Sequence, residues 1–139
     1  MENEEWPGLV PELTVSDLDQ SLAFYVELAD FTVVDRRGDP PFAVVRCGRN
    51  LIMLEELHDG SWLTDTLEKP FGRGVNFEME CDEPEALARR MHAAGVTLFR
   101  EYRVSTYLSG GLPVSQAEFL VADPDGYLLR FVRELDIVR

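Results

Sequence analysis

Cysteine, histidine and positive charge are all scarce in this chain. Its 139 residues include 2 cysteines and 2 histidines. Cys47 and Cys81 are too few for a disulfide scaffold and lack the CxxC spacing of a redox or zinc motif. Lysine and arginine number 13 against 26 acidic residues, a formal charge of −13. Such a balance repels nucleic acid and anionic lipid and steers cationic partners. Many acidic proteins carry that charge for solubility alone, so only the placement of the carboxylates is informative. No apolar run approaches the ~18 residues of a membrane span. The acidic start, Met1-Glu2-Asn3-Glu4-Glu5, lacks the basic end and apolar core of a signal peptide. A reducing, cytoplasmic setting is expected, with neither nucleic acid nor membrane as partner.

What the chain does have is ordinary apolar content, 45%, and a pattern that occurs twice. Its length fits one domain, residues 1–139, with a sizeable core. Leu9 to Val15 alternates as a strand and stops at Ser16-Asp17, either of which can cap a helix. Leu18, Leu22, Tyr25 and Val26 then mark one face of a helix ending near Asp30. Phe31 to Val34 reads as a strand broken by Arg36-Arg37-Gly38-Asp39-Pro40-Pro41, and Phe42 to Arg46 and Leu51 to Glu56 as two more. The order is βαβββ over about residues 9–57.

Residues 58–73 show no period, but Trp62, Leu63, Leu67 and Phe71 predict a segment that packs on something. Over about 74–135 the order repeats. Gly74 to Cys81 reads as a strand. Asp82 with Glu85 fits a capping box, with Pro84 in the first helical turn. Leu87, Ala88, Met91 and Ala94 form the expected buried stripe, and Gly95 the left-handed C-terminus. Val96 to Tyr107 reads as a long, bulged strand. Gln116 to Ala122 and Tyr127 to Arg133 make a hairpin about Asp123-Pro124-Asp125-Gly126.

The duplication, with Val15-Ser16-Asp17-Leu18 and Ser21-Leu22-Ala23-Phe24-Tyr25, then Gly74-Val75-Asn76-Phe77-Glu78, then Phe119 to Tyr127, resembles the vicinal oxygen chelate superfamily. That group includes glyoxalase I, extradiol dioxygenases and bleomycin-resistance proteins. The resemblance spans about residues 9–135. It implies an α+β fold of two tandem βαβββ modules whose mixed sheets curl into cups, the glyoxalase/bleomycin-resistance fold, and a homodimer. Metal-dependent members hold a divalent cation with His and Glu at four strand positions. Counted from the strand ends and the Asp-Pro-Asp-Gly turn, these fall here at Val10, Asn76 and Arg130, with the fourth near Met53. Valine and methionine do not suit a hard cation, asparagine is weak and arginine is itself positive. His58 falls in the connecting segment and His92 on a helix surface. No metal, no cofactor and no metal-dependent chemistry are therefore expected, and no catalytic residue stands out.

Strand parity sorts the side chains by face. Leu13 and Val15, with Val75, Phe77, Met79 and Cys81, should pack under the helices, as should Leu129 and Phe131. The opposite faces line the cups and offer Glu12, Thr14, Met53, Glu55, Asn76, Glu78, Glu80 and Arg130, with Arg130 able to satisfy one carboxylate. Trp62, Phe71, Tyr102 and Tyr107 lie in or beside irregular segments, where they either stack on a ligand or serve core and dimer packing. Acidic, metal-free bleomycin-resistance members sequester a cationic glycopeptide at the dimer interface, and by resemblance this chain binds a cationic, partly aromatic small molecule without enzymatic turnover. Two other readings stay open: a metal-independent lyase or isomerase using Arg130 with Glu78 or Glu12 on an anionic metabolite, and an interaction module with no small ligand.

Overall fold

The computed structural model describes residues 6–135, so the acidic start at Met1 to Glu5 lies outside the described residues. Two compact units, residues 6–67 and 68–135, each hold a strand, a helix and three further strands. Among the described residues no helix is long and apolar enough to cross a membrane.

In the first unit β1 (Glu12–Val15) leads to α1 (Leu18–Leu22), a π-helical continuation (Ala23–Leu28), β2 (Thr32–Gly38), β3 (Pro41–Cys47) and β4 (Asn50–Glu56). The sheet order is β1-β4-β3-β2. β1 runs parallel to β4, while β4, β3 and β2 are antiparallel neighbours. A parallel pair needs a crossover, and the helix lies within it. α1 packs on β3 and β4, where Leu13, Val15, Ala43, Val45, Ile52 and Leu54 are buried with Leu18, Leu22 and Tyr25. Two N–H groups at the helix start are satisfied by carboxylates. Asp17 accepts from Gln20 N–H at 3.1 Å and Glu56 from Leu18 N–H at 3.0 Å.

Two expectations for this unit are corrected. The helix widens to a π-helix over Ala23–Leu28, which brings the adjacent Phe24 and Tyr25 both into the core. Their rings meet edge to face at 5.1 Å, and Tyr25 meets Phe31 at 5.5 Å. The expected break at Arg36-Arg37 is instead strand, because β2 runs on to Gly38 with Arg36 opposite Ala43 and Arg37 opposite Phe42. Cross-strand pairing overrides the low strand preference of these residues. Arg36 pairs with Asp19 at 3.0 Å and Arg37 lies over the Phe42 ring.

The second unit repeats the plan with β5 (Asn76–Glu80), α2 (Pro84–Ala93), β6 (Arg100–Ser109), β7 (Leu112–Ala122) and β8 (Leu128–Glu134). Its sheet order is β5-β8-β7-β6, with β5 parallel to β8. Met79, Phe119, Val121, Leu129 and Phe131 are buried, as are Leu87, Ala88 and Met91 of α2. Val75, expected under the helix, is 50% exposed. The expected capping box does not form. Glu83 holds the cap position without a side-chain bond, and Glu85 is drawn away to Arg89 at 2.7 Å. Ala94 is exposed, and Pro84 is buried in its place.

The Asp123–Gly126 turn is tied by one carboxylate oxygen. Asp123 Oδ1 accepts from the N–H groups of Asp125, Gly126 and Tyr127 at 2.9, 3.0 and 3.0 Å. Gly126 has φ 102°, and a Cβ there would come 2.6 Å from Pro70 Cα, so glycine is required. The connecting segment packs as expected at Phe71 but not at Trp62. Phe71 is buried against Tyr127, ring centroids 6.0 Å apart, but Trp62 is 93% exposed.

Candidate functional site

The registers make the duplication exact at the level of residues. Glu12 pairs with Met53 as Glu78 pairs with Arg130. One step further, Phe42 faces Glu55 as Glu118 faces Val132, and Arg37 faces Phe42 as Arg103 faces Glu118. Met53 and Arg130, Phe42 and Glu118, and Glu55 and Val132 are thus equivalent positions. The face away from the helix is apolar where one unit has Phe42 and Met53, and ionic where the other has Glu118 and Arg130.

The first unit holds a pocket of about 420 Å³. Its walls come from Glu12 on β1, Met53 and Glu55 on β4, Arg37 and Phe42 on the β2–β3 hairpin with Asp39 and Pro40 at its turn, and His58, Gly60 and Trp62 beyond β4. The floor is apolar: Phe42 and Met53 line it, and both belong to a cluster with the buried Val44 and Leu51 and the partly buried Val10 and Val34. Around it stand the carboxylates of Glu12, Glu55 and Asp39, with Arg37 as the cation.

Hydrogen bonds fix the imidazole. Gly60 N–H donates to His58 Nδ1 at 3.1 Å, so in the neutral ring Nε2 carries the proton and donates to Glu55 Oε1 at 2.9 Å. His58 N–H also donates to Ser61 Oγ at 2.9 Å, holding the loop at the pocket edge. Glu12 is solvent-accessible, yet partial burial in the wall pushes its carboxyl above the ordinary 4.5. The charge of Glu55 raises it further, and Arg37 opposes both. The guanidinium carbon of Arg37 lies 4.6 Å from the centroid of the Phe42 ring, while Arg37 Nε is 3.7 Å from Asp35.

In the second unit Arg130 sits between two carboxylates. Its Nη2 is 3.3 Å from Glu78 and its Nη1 is 3.8 Å from Glu118. Glu118 is 6% exposed. Glu118 Oε2 and Arg130 Nε have no hydrogen-bond partner among the described residues. Asn76 is exposed at the start of β5. Tyr102 is half-buried in the β6 bulge, and Tyr107 is 46% exposed opposite Val114.

Of the residues expected from the sequence, Glu12, Met53, Glu55 and Trp62 come together in the first pocket, and Thr14 lies opposite Glu55 at its side. Asn76, Glu78 and Arg130 share the ionic face of the second unit, with Tyr102 and Tyr107 on its edge strand. Sequence reasoning missed His58, Arg37, Asp39 and Phe42 of the pocket, and Glu118. Parity carried a signal for Glu118, since Gln116, Glu118 and Leu120 share a face within an otherwise apolar run. No local signal marks His58, whose role depends on a loop returning to Glu55.

The residues at the four metal positions implied by resemblance do not suit a divalent cation. Val10 and Met53 belong to the apolar cluster, Asn76 is a weak donor, and Arg130 is cationic and ion-paired. Among the described residues no three His, Cys, Asp or Glu side chains are gathered to hold a metal.

The family model of the Glyoxalase/Bleomycin resistance protein/Dioxygenase superfamily matches residues 9–131. The bleomycin resistance protein of Geobacillus stearothermophilus is 25% identical over 132 residues, covering 91% of this chain and 96% of its own. A bleomycin resistance protein of Staphylococcus aureus gives the same figures. Among solved structures, TioX from Micromonospora sp. ML1 superposes with a TM-score of 0.68 at 21% identity, over 94% of this chain and 100% of that one. A glyoxalase/bleomycin resistance protein/dioxygenase from Alicyclobacillus acidocaldarius gives 0.64 at 18%, over 98% and 96%. These structural likenesses establish the shared α+β fold of paired βαβββ modules.

Proposed function

Since the chain belongs to the Glyoxalase/Bleomycin resistance protein/Dioxygenase superfamily, we propose that it is a binding protein of the bleomycin-resistance type, which sequesters a cationic, partly aromatic small molecule without turning it over. The observation that carries this reading is the first-unit pocket, where three carboxylates and one guanidinium surround an aromatic and aliphatic floor. Apolar surface supplies most of the affinity of such a site and a few polar groups fix orientation. Surplus carboxylate favours a cation and disfavours an anion. The raised carboxyl of Glu12 marks a negative charge held at a cost, which a bound cation offsets.

The alternative, a metal-independent lyase or isomerase on an anionic metabolite, relies on Arg130 to receive a carboxylate. Arg130 lies between Glu78 and Glu118, so an anion has to compete with two internal ones. A homodimer belongs to the preferred reading. Its support is the β6–β7 hairpin, where Leu108 is 72% exposed and Val104 54%, and apolar side chains so placed suit a subunit contact. Cys47 and Cys81 form no disulfide, in keeping with a cytoplasmic setting.

Isothermal calorimetry with bleomycin and with smaller aromatic cations tests the reading, paired with native mass spectrometry for stoichiometry and dimer mass. Saturable binding of cations but not of acidic metabolites is expected. Binding of anions alone, or turnover of an anionic metabolite, would replace it with the enzymatic alternative.

A further inference from the structure

The pocket of the first unit already contains a planar cation, and it is part of the chain. β2 continues as a strand past the two arginines, so Arg37 faces Phe42 across the hairpin, and its guanidinium carbon stands 4.6 Å from the ring centroid. Guanidinium over an aromatic face is an attractive arrangement that a planar, weakly hydrated cation makes better than a compact ammonium. Around the same spot stand Glu12 and Glu55, and Arg37 acts on the Glu12 carboxyl. Arg37 therefore already occupies the aromatic face that the pocket offers a ligand, within the field of the carboxylates that line it.

Among the described residues Arg37 is held only weakly there. Its side chain is 69% exposed, and its ion pair with Asp35 is long, 3.7 Å, with a partner that is also exposed. Such pairs contribute little, so the side chain can leave Phe42 at small cost. Phe42, by contrast, is 6% exposed and fixed in the floor beside Val44 and Leu51. At the pocket edge Trp62, 93% exposed, presents a second aromatic surface with no covering.

We propose that Arg37 is an internal occupant of the cation site on Phe42, that ligand binding displaces it, and that the ligand class selected in this way is the planar delocalised cation: a guanidinium, an amidinium or a protonated aromatic amine. The inference rests on the binding function proposed above and adds the shape of the cation and the residue that competes with it. Arg37 sets selectivity in two ways. It excludes cations too weak to replace it, and it leaves behind a site shaped by its own flat group.

The test compares the wild-type protein with Arg37→Gln, Arg37→Lys and Phe42→Leu, titrated with benzamidine as planar cation and cyclohexylmethylamine as compact one. The arginine variants change an exposed side chain and leave the fold in place. Displacement predicts that Arg37→Lys, which keeps the charge but loses the flat group, binds benzamidine roughly three- to tenfold more tightly, and that Arg37→Gln does so by at least as much. Phe42→Leu should erase the preference for benzamidine over the amine. In the free protein, the Arg37 Hδ and Hε resonances should be shifted upfield by the Phe42 ring, and benzamidine should return them to ordinary values. Wild-type binding with no gain in either arginine variant overturns the internal-occupant inference and leaves the binding function standing. An unshifted Arg37 side chain in the free protein overturns it as well. A gain confined to Arg37→Gln reduces Arg37 to a distant charge and also overturns it. If no form binds either cation, the binding function itself falls, and the proposal with it. Binding by Arg37→Gln and Arg37→Lys where wild type shows none supports displacement in its strongest form.

Discussion

Met53 lies in parallel register with Glu12, at the position where the second unit places Arg130 against Glu78. A thioether at the paired position leaves Glu12 without the cross-strand guanidinium that its counterpart Glu78 has, and only Arg37, from the β2–β3 hairpin, opposes its charge. The duplicated frame thus yields an apolar pocket with exposed acid in one unit and a self-neutralised cluster in the other.

Met53→Arg should convert the first arrangement into the second. The new guanidinium would pair with Glu12 or Glu55, and benzamidine binding should weaken at least tenfold, about 1.4 kcal/mol or more. Met53 is only half-buried and a long arginine stem can cover the same apolar surface, so the melting temperature should fall by only a few degrees. Met53→Leu, which brings no charge, should leave binding within twofold. Calorimetry and thermal melts on the two variants decide the matter.

Glu12 gives the site a pH dependence of defined sign. Its carboxyl binds a proton more tightly in the folded chain than at the ordinary 4.5, through burial first and Glu55 second. A cation bound beside it favours the ionised form, so binding releases protons, and affinity falls as pH drops through the raised value. Calorimetry in two buffers of different ionisation enthalpy should register that release, and Glu12→Gln should reduce it. Stability follows the opposite course. The raised carboxyl favours the fold most below 4.5, and that advantage is lost as pH rises through its folded value. Glu12→Gln should therefore raise the melting temperature slightly at neutral pH and leave it unchanged in acid.

Arg130→Met should destabilise the second unit, because Glu118 is buried and Arg130 supplies its ion pair. Removing one partner of a fully buried pair costs about 3–5 kcal/mol. With a third of the Arg130 side chain exposed, a loss of about 2 kcal/mol is expected. Urea unfolding measures it, and the double variant Arg130→Met with Glu118→Gln should recover more than half.

Much of this was legible in the sequence, and the limits have physical causes. The two βαβββ modules follow from alternation, capping residues and turn signals, all local features. Parity placed Leu13 and Val15 in the core and Glu12 and Glu55 on the other face, because strand period is a backbone property. Arg37 escaped because two arginines before Gly-Asp-Pro-Pro look like a turn, and only pairing with Phe42 makes them strand. His58 escaped because its partner Glu55 is reached through a loop closed by Gly60 and Ser61. Glu118 lay hidden in an apolar strand, since a charge is tolerable there only when a neighbouring strand brings an arginine.

The Asp123 turn offers a test of the scaffold independent of any ligand. One carboxylate oxygen accepts from three successive N–H groups, those of Asp125, Gly126 and Tyr127, and Asp123 is 5% exposed. Asp123→Ala leaves buried donors without that acceptor, which should cost on the order of 3 kcal/mol. Asp123→Asn keeps one acceptor oxygen and should lose about half as much, because a neutral acceptor is weaker than a carboxylate. Gly126→Ala attacks the same turn from the backbone. It combines φ 102° with a Cβ 2.6 Å from Pro70 Cα, and should destabilise by about 2 kcal/mol or more. Because the turn joins β7 to β8 and so sets the register that pairs Glu118 with Val132 and Leu120 with Arg130, hydrogen exchange should show both strands losing protection together. Loss confined to the turn itself would mean that β7 and β8 hold their register without it.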